Sequence, residues 1–154
     1  MKMQEASSMI GEIHKKIWHI KVPLTIRIFL WLLIRNSVLT KNYLKKRGWR
    51  KGNETCQFCD KKEAIQHLFF DWPMTRFTWN VVSCAFDLKP MKNVQHTLGA
   101  WTQNCDKVTK QLLLVAVAAV LWSTWKARNK VCFEQILPQD PTDILYRARS
   151  WMND

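Results

Sequence analysis

The apolar residues of this chain recur at the spacing of α-helices along most of its length. Three isoleucines at helical spacing predict a helix over residues 8–20. Residues 24–34 are apolar on nearly every face, which is typical of a helix in the middle of a bundle. A long helix is predicted over residues 106–133, with its first residue as N-cap and an apolar centre at 112–122. The pattern therefore predicts a mainly α protein.

Capping residues predict further helices. Thr40 is the predicted N-cap of a helix over residues 41–47, and Gly48 is expected to end it in the left-handed conformation. Pro73 is expected to begin a helix over residues 74–85. The stripe that this helix is predicted to bury consists of Phe77, Val81 and Cys84 or Ala85, with Trp79 beside it.

The residues with the clearest chemistry lie between the predicted helices, at Cys56-Gln-Phe-Cys59 and His67. Two cysteines separated by two residues can turn both thiolates toward one point, and histidine is a common further zinc ligand. A closed structural zinc site has four nitrogen or sulfur ligands in a tetrahedron. Five residues after His67, where a fourth ligand is expected, the chain has Trp72. The pattern thus predicts a metal site with one ligand removed.

The positive charge of the segment before these cysteines indicates a second functional region. The chain has 154 residues and a formal charge of +12, which favours anionic partners and nucleic acid first. Its densest cationic stretch is either a solvated helix face or a phosphate-binding patch with an aromatic stacking platform, and the overall charge favours the second. The residues predicted to contact nucleic acid are Lys45, Lys46, Arg47, Trp49, Arg50 and Lys51. A second patch is predicted at Lys126, Arg128 and Lys130.

Several motifs also occur together in one known order. They are Ile17-Trp18-His-Ile-Lys21-Val22-Pro23, Phe29-Leu30-Trp31, Leu39-Thr40, Leu44-Lys-Lys-Arg47-Gly48, Cys56-x-x-Cys59, His67-Leu68-Phe69-Phe70, Trp79 and Leu121-Trp122-Ser-Thr-Trp125-Lys126-Ala-Arg128-Asn129-Lys130-Val-Cys-Phe133. Over residues 12–134 they resemble the reverse transcriptase zinc-binding domain of plant non-LTR retrotransposons. The last motif resembles the segment that leads toward a ribonuclease H domain in such polyproteins.

The resemblance implies a zinc cofactor held by three named ligands: Cys56, Cys59 and His67. The family's fourth ligand is a cysteine at the position of Trp72, and an indole N–H can only donate a hydrogen bond. Three outcomes remain, in this order of preference. Zinc is bound weakly or not at all, Asp71 substitutes as an oxygen ligand, or Cys84 reaches the site from the following helix.

The resemblance and the helical pattern together predict the organisation of the chain. A polar stretch with Pro90 over residues 87–92 is the expected linker. It separates a reverse transcriptase zinc-binding domain over residues 10–86 from a helical C-terminal extension over 87–154. The predicted fold is a helical bundle with an inserted, degenerate CCHC-like zinc-knuckle loop.

No catalytic activity is predicted. The chain contains no Tyr-x-Asp-Asp sequence and no adjacent pair of aspartates, and a catalytic zinc would also need a general base in a cleft. The predicted function is a non-catalytic accessory domain, derived from a retrotransposon reverse transcriptase, that binds zinc and the backbone of RNA or DNA. Reverse transcriptase or ribonuclease H domains are further expected partners; neither a membrane nor a small-molecule substrate is expected. The alternatives are a helical protein–protein interaction module and a retrotransposon remnant without selected function.

Cysteine use and the absence of a long apolar segment predict the compartment. The five cysteines are mostly scattered, which is typical of a reduced intracellular protein. The first residues contain no apolar signal segment, and the longest apolar run is shorter than the roughly 20 residues that cross a bilayer. A soluble protein of the nucleus or cytoplasm is expected.

Overall fold

The computed structural model describes residues 2–153, most of which are helical. The α-helices are α1 (Lys2–His19), α2 (Leu24–Ile34), α3 (Lys41–Lys46), α4 (Pro73–Ala85), α5 (Val94–Leu98), α6 (Lys107–Asn129) and α7 (Asp143–Asn153). Two π-helical segments, His67–Asp71 and Lys130–Glu134, and a 3₁₀ turn at Ala100–Thr102 complete the regular structure. Residues 2–153 form no β-strand, only an isolated antiparallel bridge between Thr55 and Lys62. The predicted mainly α fold with an inserted cysteine loop is confirmed.

Two helices, α3 and α6, begin directly after their predicted N-cap residues. The Thr40 hydroxyl accepts a hydrogen bond from the Tyr43 N–H at 3.3 Å, at the start of α3. The Asp106 carboxylate accepts bonds from the second and third N–H groups of α6, both at 3.0 Å. These side chains bind N–H groups that the first turn of a helix leaves without a partner.

The central helix of the bundle is α6. It packs against α2, α5, α7 and both π-helical segments. Its buried residues include Ala118 and Ala119, whose small side chains allow neighbouring helices to approach closely. Sequence reasoning placed α2 in the middle, but Leu24 and Ile28 of α2 are exposed to solvent. Residues 24–34 are apolar on nearly every side, but only one side of α2 faces the core, so only that side is buried.

The buried face of α4 differs from the predicted stripe. Phe77 and Val81 are 40% and 39% exposed, whereas the buried residues are Thr75, Thr78, Trp79, Val82 and Ser83. Hydrogen bonds explain this orientation. The Trp79 indole N–H donates to the Phe69 carbonyl at 2.6 Å, and the Thr75 hydroxyl donates to the Trp72 carbonyl at 2.7 Å. Both bonds join α4 to the segment before it.

The hydrophobic core is continuous across the predicted linker. It combines residues of α1, α2 and α4 with residues of α5, α6 and α7. The division of the chain into residues 10–86 and 87–154 stays a prediction, and the two parts share one core.

One helical stretch of the described chain, Lys107–Glu134, is long and apolar enough to cross a membrane by length and composition. Half of its most apolar window is buried inside the protein. The central helix of a soluble bundle has the same properties, so this stretch is only weak support for a membrane span.

Candidate metal centre and nucleic-acid interface

A short hairpin positions the two cysteines of the predicted knuckle. The Glu63 N–H donates to the Glu54 carbonyl and the Cys56 N–H donates to the Lys61 carbonyl, each at 2.9 Å. The loop that these bonds close carries Cys56 and Cys59. These backbone bonds join the two ends of the cysteine loop.

The histidine of the knuckle begins a π-helical segment. The Trp72 N–H donates to the His67 carbonyl at 2.7 Å, five residues back, which is the defining π-helical bond. Such a widened turn leaves nearby carbonyl groups without their usual α-helical partners. Side chains of α4 satisfy them, because Trp79 donates to Phe69 and Thr75 donates to Leu68. The buried face of α4, which differs from the predicted stripe, thus stabilises the turn that carries His67.

The structure brings the three predicted ligands together. The Sγ atoms of Cys56 and Cys59 and a ring nitrogen of His67 all lie within 4.8 Å of one another. The Cys59 Sγ and His67 Nε2 atoms are 3.3 Å apart, close to the roughly 3.6 Å between sulfur and nitrogen ligands on tetrahedral zinc. Two sulfurs and one imidazole are also the donor types that zinc prefers. On three sides, therefore, the residues fit a zinc ion.

Trp72, at the sequence position predicted for a fourth ligand, makes an apolar contact instead. Trp72 is 2% exposed, and its ring lies 4.8 Å from the ring of Phe58 between centroids. Phe58 belongs to the cysteine loop itself, so this pair attaches the loop to the bundle at the residue where the resemblance predicted a fourth ligand. Among residues 2–153, neither Asp71 nor Cys84 joins the ligand group, and both are exposed.

Burial also changes the chemistry of one ligand. Burial raises the pKa of the Cys56 thiol, a hydrogen bond from Phe58 partly offsets the rise, and the neighbouring Cys59 adds to it. A metal ligand must be a thiolate, so zinc binding has to overcome this preference for the protonated form.

A buried ion pair ties the cysteine loop to the central helix. Glu63 is 1% exposed, and one of its carboxylate oxygens accepts bonds from the Arg128 Nη2 at 2.6 Å and Nε at 3.1 Å. The same oxygen accepts the Lys41 N–H at 2.9 Å, which fixes the start of α3. The Arg128 guanidinium lies over the Trp125 ring, 4.9 Å from its centroid. The predicted second cationic patch is therefore wrong at Arg128, because its charge is buried against Glu63.

The predicted nucleic-acid contacts lie together on the surface. We call the five cations at and after the end of α3 the basic face: Lys45, Lys46, Arg47, Arg50 and Lys51. All five are exposed, and within residues 2–153 none of them forms an ion pair. Trp49 lies among them with 46% of its surface exposed. The stretch thus presents unpaired positive charge and an aromatic ring to solvent.

The end of α3 explains how Trp49 reaches this position. Gly48 has φ +84°, and its N–H donates to the Lys45 carbonyl at 3.0 Å. The Trp49 N–H donates to the Leu44 carbonyl, also at 3.0 Å. These two bonds define a Schellman motif, in which the residue after the glycine turns back toward the helix beside the residue five positions earlier.

Two cavities flank α3. A cleft of about 610 Å³ is lined by Tyr43, Lys46 and Arg47 and by the amides of Asn42, Gln66 and Gln95. An apolar groove of about 350 Å³ lies on the other side, where Leu44 and Trp49 face the end of α6. The basic face therefore continues into a polar cleft and borders an apolar groove.

Sequence reasoning missed the Glu63–Arg128 pair and the groove. Glu63 is one of three acids near the knuckle, and no pattern distinguished it from the exposed Asp60 and Asp71. Arg128 occurs in the motif that begins at Leu121, which marked the residue without indicating its partner 65 positions away.

Comparison with known families agrees with this geometry. The family model described as zinc-binding in reverse transcriptase matches residues 2–79, just over half of the chain. The chain therefore belongs to this family. Comparison with curated proteins and with solved structures finds no match.

Proposed function

We propose that this member of the reverse transcriptase zinc-binding family is a non-catalytic accessory domain that binds the phosphate backbone of RNA or DNA. The observation that carries the proposal is the basic face, where five exposed and unpaired cations lie on one short segment. Such a segment releases counterions from nucleic acid when it binds, which drives association without catalysis. The exposed Trp49 adds a surface on which a base can stack.

The metal has a secondary role in this proposal. Cys56, Cys59 and His67 would hold zinc, and the ion would supply a structural cross-link between the cysteine loop and the π-helical segment. The Trp72–Phe58 contact already joins the cysteine loop to the end of this segment, and the Glu63–Arg128 pair joins the loop to α6. We therefore expect weak zinc binding and a nucleic-acid surface that forms without zinc.

We propose that the domain is not catalytic because none of the acidic residues beside the three ligands is suited to act as a general base. Glu63 is the buried one, and its carboxylate already accepts bonds from Arg128 and from Lys41, so it is unsuited to remove a proton from water. Asp60 and Asp71 are exposed. The expected partners are nucleic acid and the polymerase or ribonuclease H domains of related elements, in the nucleus or cytoplasm.

Salt dependence of binding tests the proposal. Fluorescence anisotropy with a labelled oligonucleotide, repeated from low to high salt, gives the slope of log affinity against log salt concentration. This slope is negative, and its magnitude is expected to decrease by about 0.7 to 0.9 for each phosphate contact removed. Replacing the five cations of the basic face by glutamine should therefore reduce both the affinity and the steepness of its salt dependence.

A matched variant controls for net charge. Five exposed cations away from α3 can be changed to glutamine in the same way: Lys15, Lys21, Lys89, Lys107 and Arg149. This control loses the same formal charge and should keep most of the affinity and the slope. Equal losses in both variants would mean that the chain attracts nucleic acid by net charge alone, and the proposed interface would be rejected.

A protein–protein interaction module is the second candidate. It is favoured by Phe133, Ile136 and Leu137, which follow the central helix and are 79%, 50% and 62% exposed. Large apolar side chains exposed in a row are typical of an interaction surface. Self-association that is unaffected by salt, measured by size exclusion and light scattering, would favour this function.

A further inference from the structure

The apolar groove beside the basic face has the properties of a binding site. Its volume is about 350 Å³, and it lies between α3 and the end of α6. Leu39, Trp49 and Phe133 are 55%, 46% and 79% exposed, so its walls are open to solvent. The apolar lining residues are Leu39, Leu44, Trp49, Trp125, Cys132 and Phe133.

Of the four polar residues that line the groove, Lys41, Arg128 and Asn129 already bond within the protein, and Gln57 is exposed. The Arg128 guanidinium binds Glu63 and the Asn129 side-chain oxygen, and the Lys41 ammonium group donates to the Thr55 carbonyl at 2.9 Å. The groove therefore offers mainly carbon and aromatic surface to a ligand. Recognition by such a surface depends on stacking and apolar contact, and it distinguishes poorly among bases.

Trp49 lies at the boundary between the groove and the basic face. Its backbone position is fixed by the Schellman motif at the end of α3, and Leu44 of the same motif is also a groove residue. Arg50 and Lys51 follow it directly in sequence and are exposed. A ligand that contacts the Trp49 ring thus comes close to several unpaired cations.

We infer that the groove takes bases of single-stranded nucleic acid, stacked against Trp49, while the phosphates of the strand lie on the basic face. The inference rests on the proposed function and adds the form of the nucleic acid. A single strand carries one charge and one accessible aromatic face per nucleotide, which matches a row of cations beside an aromatic groove. A duplex keeps its base faces inside the stack, so it can use the basic face but not the groove.

Three ligands of equal length test the inference by anisotropy. They are a single strand of thymidine, a strand of abasic sites with the same phosphates, and a duplex. Removing one stacking aromatic is expected to weaken binding by about 5- to 150-fold. Trp49→Ala should show a loss in this range for the thymidine strand and little change for the abasic strand and the duplex.

Two further variants make the test specific. Phe133→Ala changes another groove wall, at a side chain so exposed that folding does not depend on it, and should also weaken binding of the thymidine strand selectively. Trp18→Ala removes a tryptophan of similar exposure, 43%, from α1 outside the groove and should have no effect.

The outcomes separate this inference from the proposed function. If all three ligands bind with the same salt dependence and Trp49→Ala changes none of them, the groove inference is wrong and backbone binding stands. If none of the ligands shows salt-dependent binding, the proposed function itself fails. If an acidic amphipathic peptide binds at Trp49 and the thymidine strand does not displace it, the groove is a protein-binding site and the inference is overturned.

Discussion

Replacement of Trp72 by cysteine tests whether the Trp72–Phe58 contact stabilises the cysteine loop in place of a fourth zinc ligand. The substitution supplies the thiol donor that the resemblance predicts at this position. It also removes a side chain that is 2% exposed and packs against Phe58. The same change therefore adds a metal ligand and deletes a contact of the folded protein.

The two effects have opposite signs and similar sizes. Truncating a buried tryptophan to alanine costs about 3–5 kcal/mol, and cysteine keeps one more atom, so we expect about 3 kcal/mol. For a chain of this length that corresponds to a fall in Tm of roughly 6–12 °C without metal. Zinc at 100 times its Kd would restore about 2.7 kcal/mol, and at 1,000 times its Kd about 4.1 kcal/mol. The backbone bonds of Trp72 to His67 and Thr75 do not involve the indole, so they should survive.

Thermal unfolding with a chelator and with added zinc measures both effects. Wild type should unfold at nearly the same temperature in both conditions, whereas Trp72→Cys should be destabilised with chelator and strongly stabilised by zinc. Trp101→Cys is a matched control, because Trp101 is 6% exposed and lies outside the ligand group. It should lose stability without gaining any response to zinc.

Two results would refute the reasoning. A zinc response of wild type as large as that of Trp72→Cys would show that three ligands suffice for tight binding. A metal-free Trp72→Cys protein as stable as wild type would show that the Trp72–Phe58 contact does not hold the cysteine loop to the bundle.

Three further predictions concern the ion pair, one helix cap and the thiols. Glu63→Gln should lower the free energy of unfolding in urea by about 3–5 kcal/mol, because it leaves the Arg128 charge buried without its partner; the double variant with Arg128→Met should recover part of that loss. Hydrogen bonds from Thr109 hold the pKa of Asp106 below its ordinary value, so its stabilising effect is present above that value and is lost as the pH falls through the lowered pKa. Asp106→Asn should remove this part of the acid sensitivity, which lies below about pH 5, and an unchanged acid profile would contradict it. Iodoacetamide followed by mass spectrometry should modify the exposed Cys84 first and Cys56 last, since burial raises the pKa of the Cys56 thiol; equal rates would argue against the burial of Cys56.

Local signals predicted the elements that depend on neighbours in the chain. The cap at Thr40, the glycine turn at Gly48 and the start of α6 after Asp106 all occur where the sequence indicated. Each of these features is made by residues within five positions of one another, so a short stretch contains all of its partners. The close approach of Cys56, Cys59 and His67 was predictable for a similar reason, because only eleven positions separate the first from the last.

The misplaced residues are those whose position depends on distant parts of the chain. The apolar spacing of α4 is compatible with several rotations, and hydrogen bonds from Thr75 and Trp79 to the preceding segment selected one of them. Leu24 and Ile28 are exposed because α6, from much later in the chain, occupies the centre of the bundle.

By itself the sequence determined the family, the helical class, the cysteine loop and the basic segment, because these follow from residue types and short spacings. Only the tertiary structure decided what those residues can do together. It buried Arg128 against Glu63 and removed that cation from the predicted surface. It also placed Trp72, at the position predicted for a fourth ligand, against Phe58, and it formed a groove at Trp49 from residues nearly a hundred positions apart. The physical reason is that burial and charge pairing depend on which surfaces meet, and spacing along one segment does not contain that information.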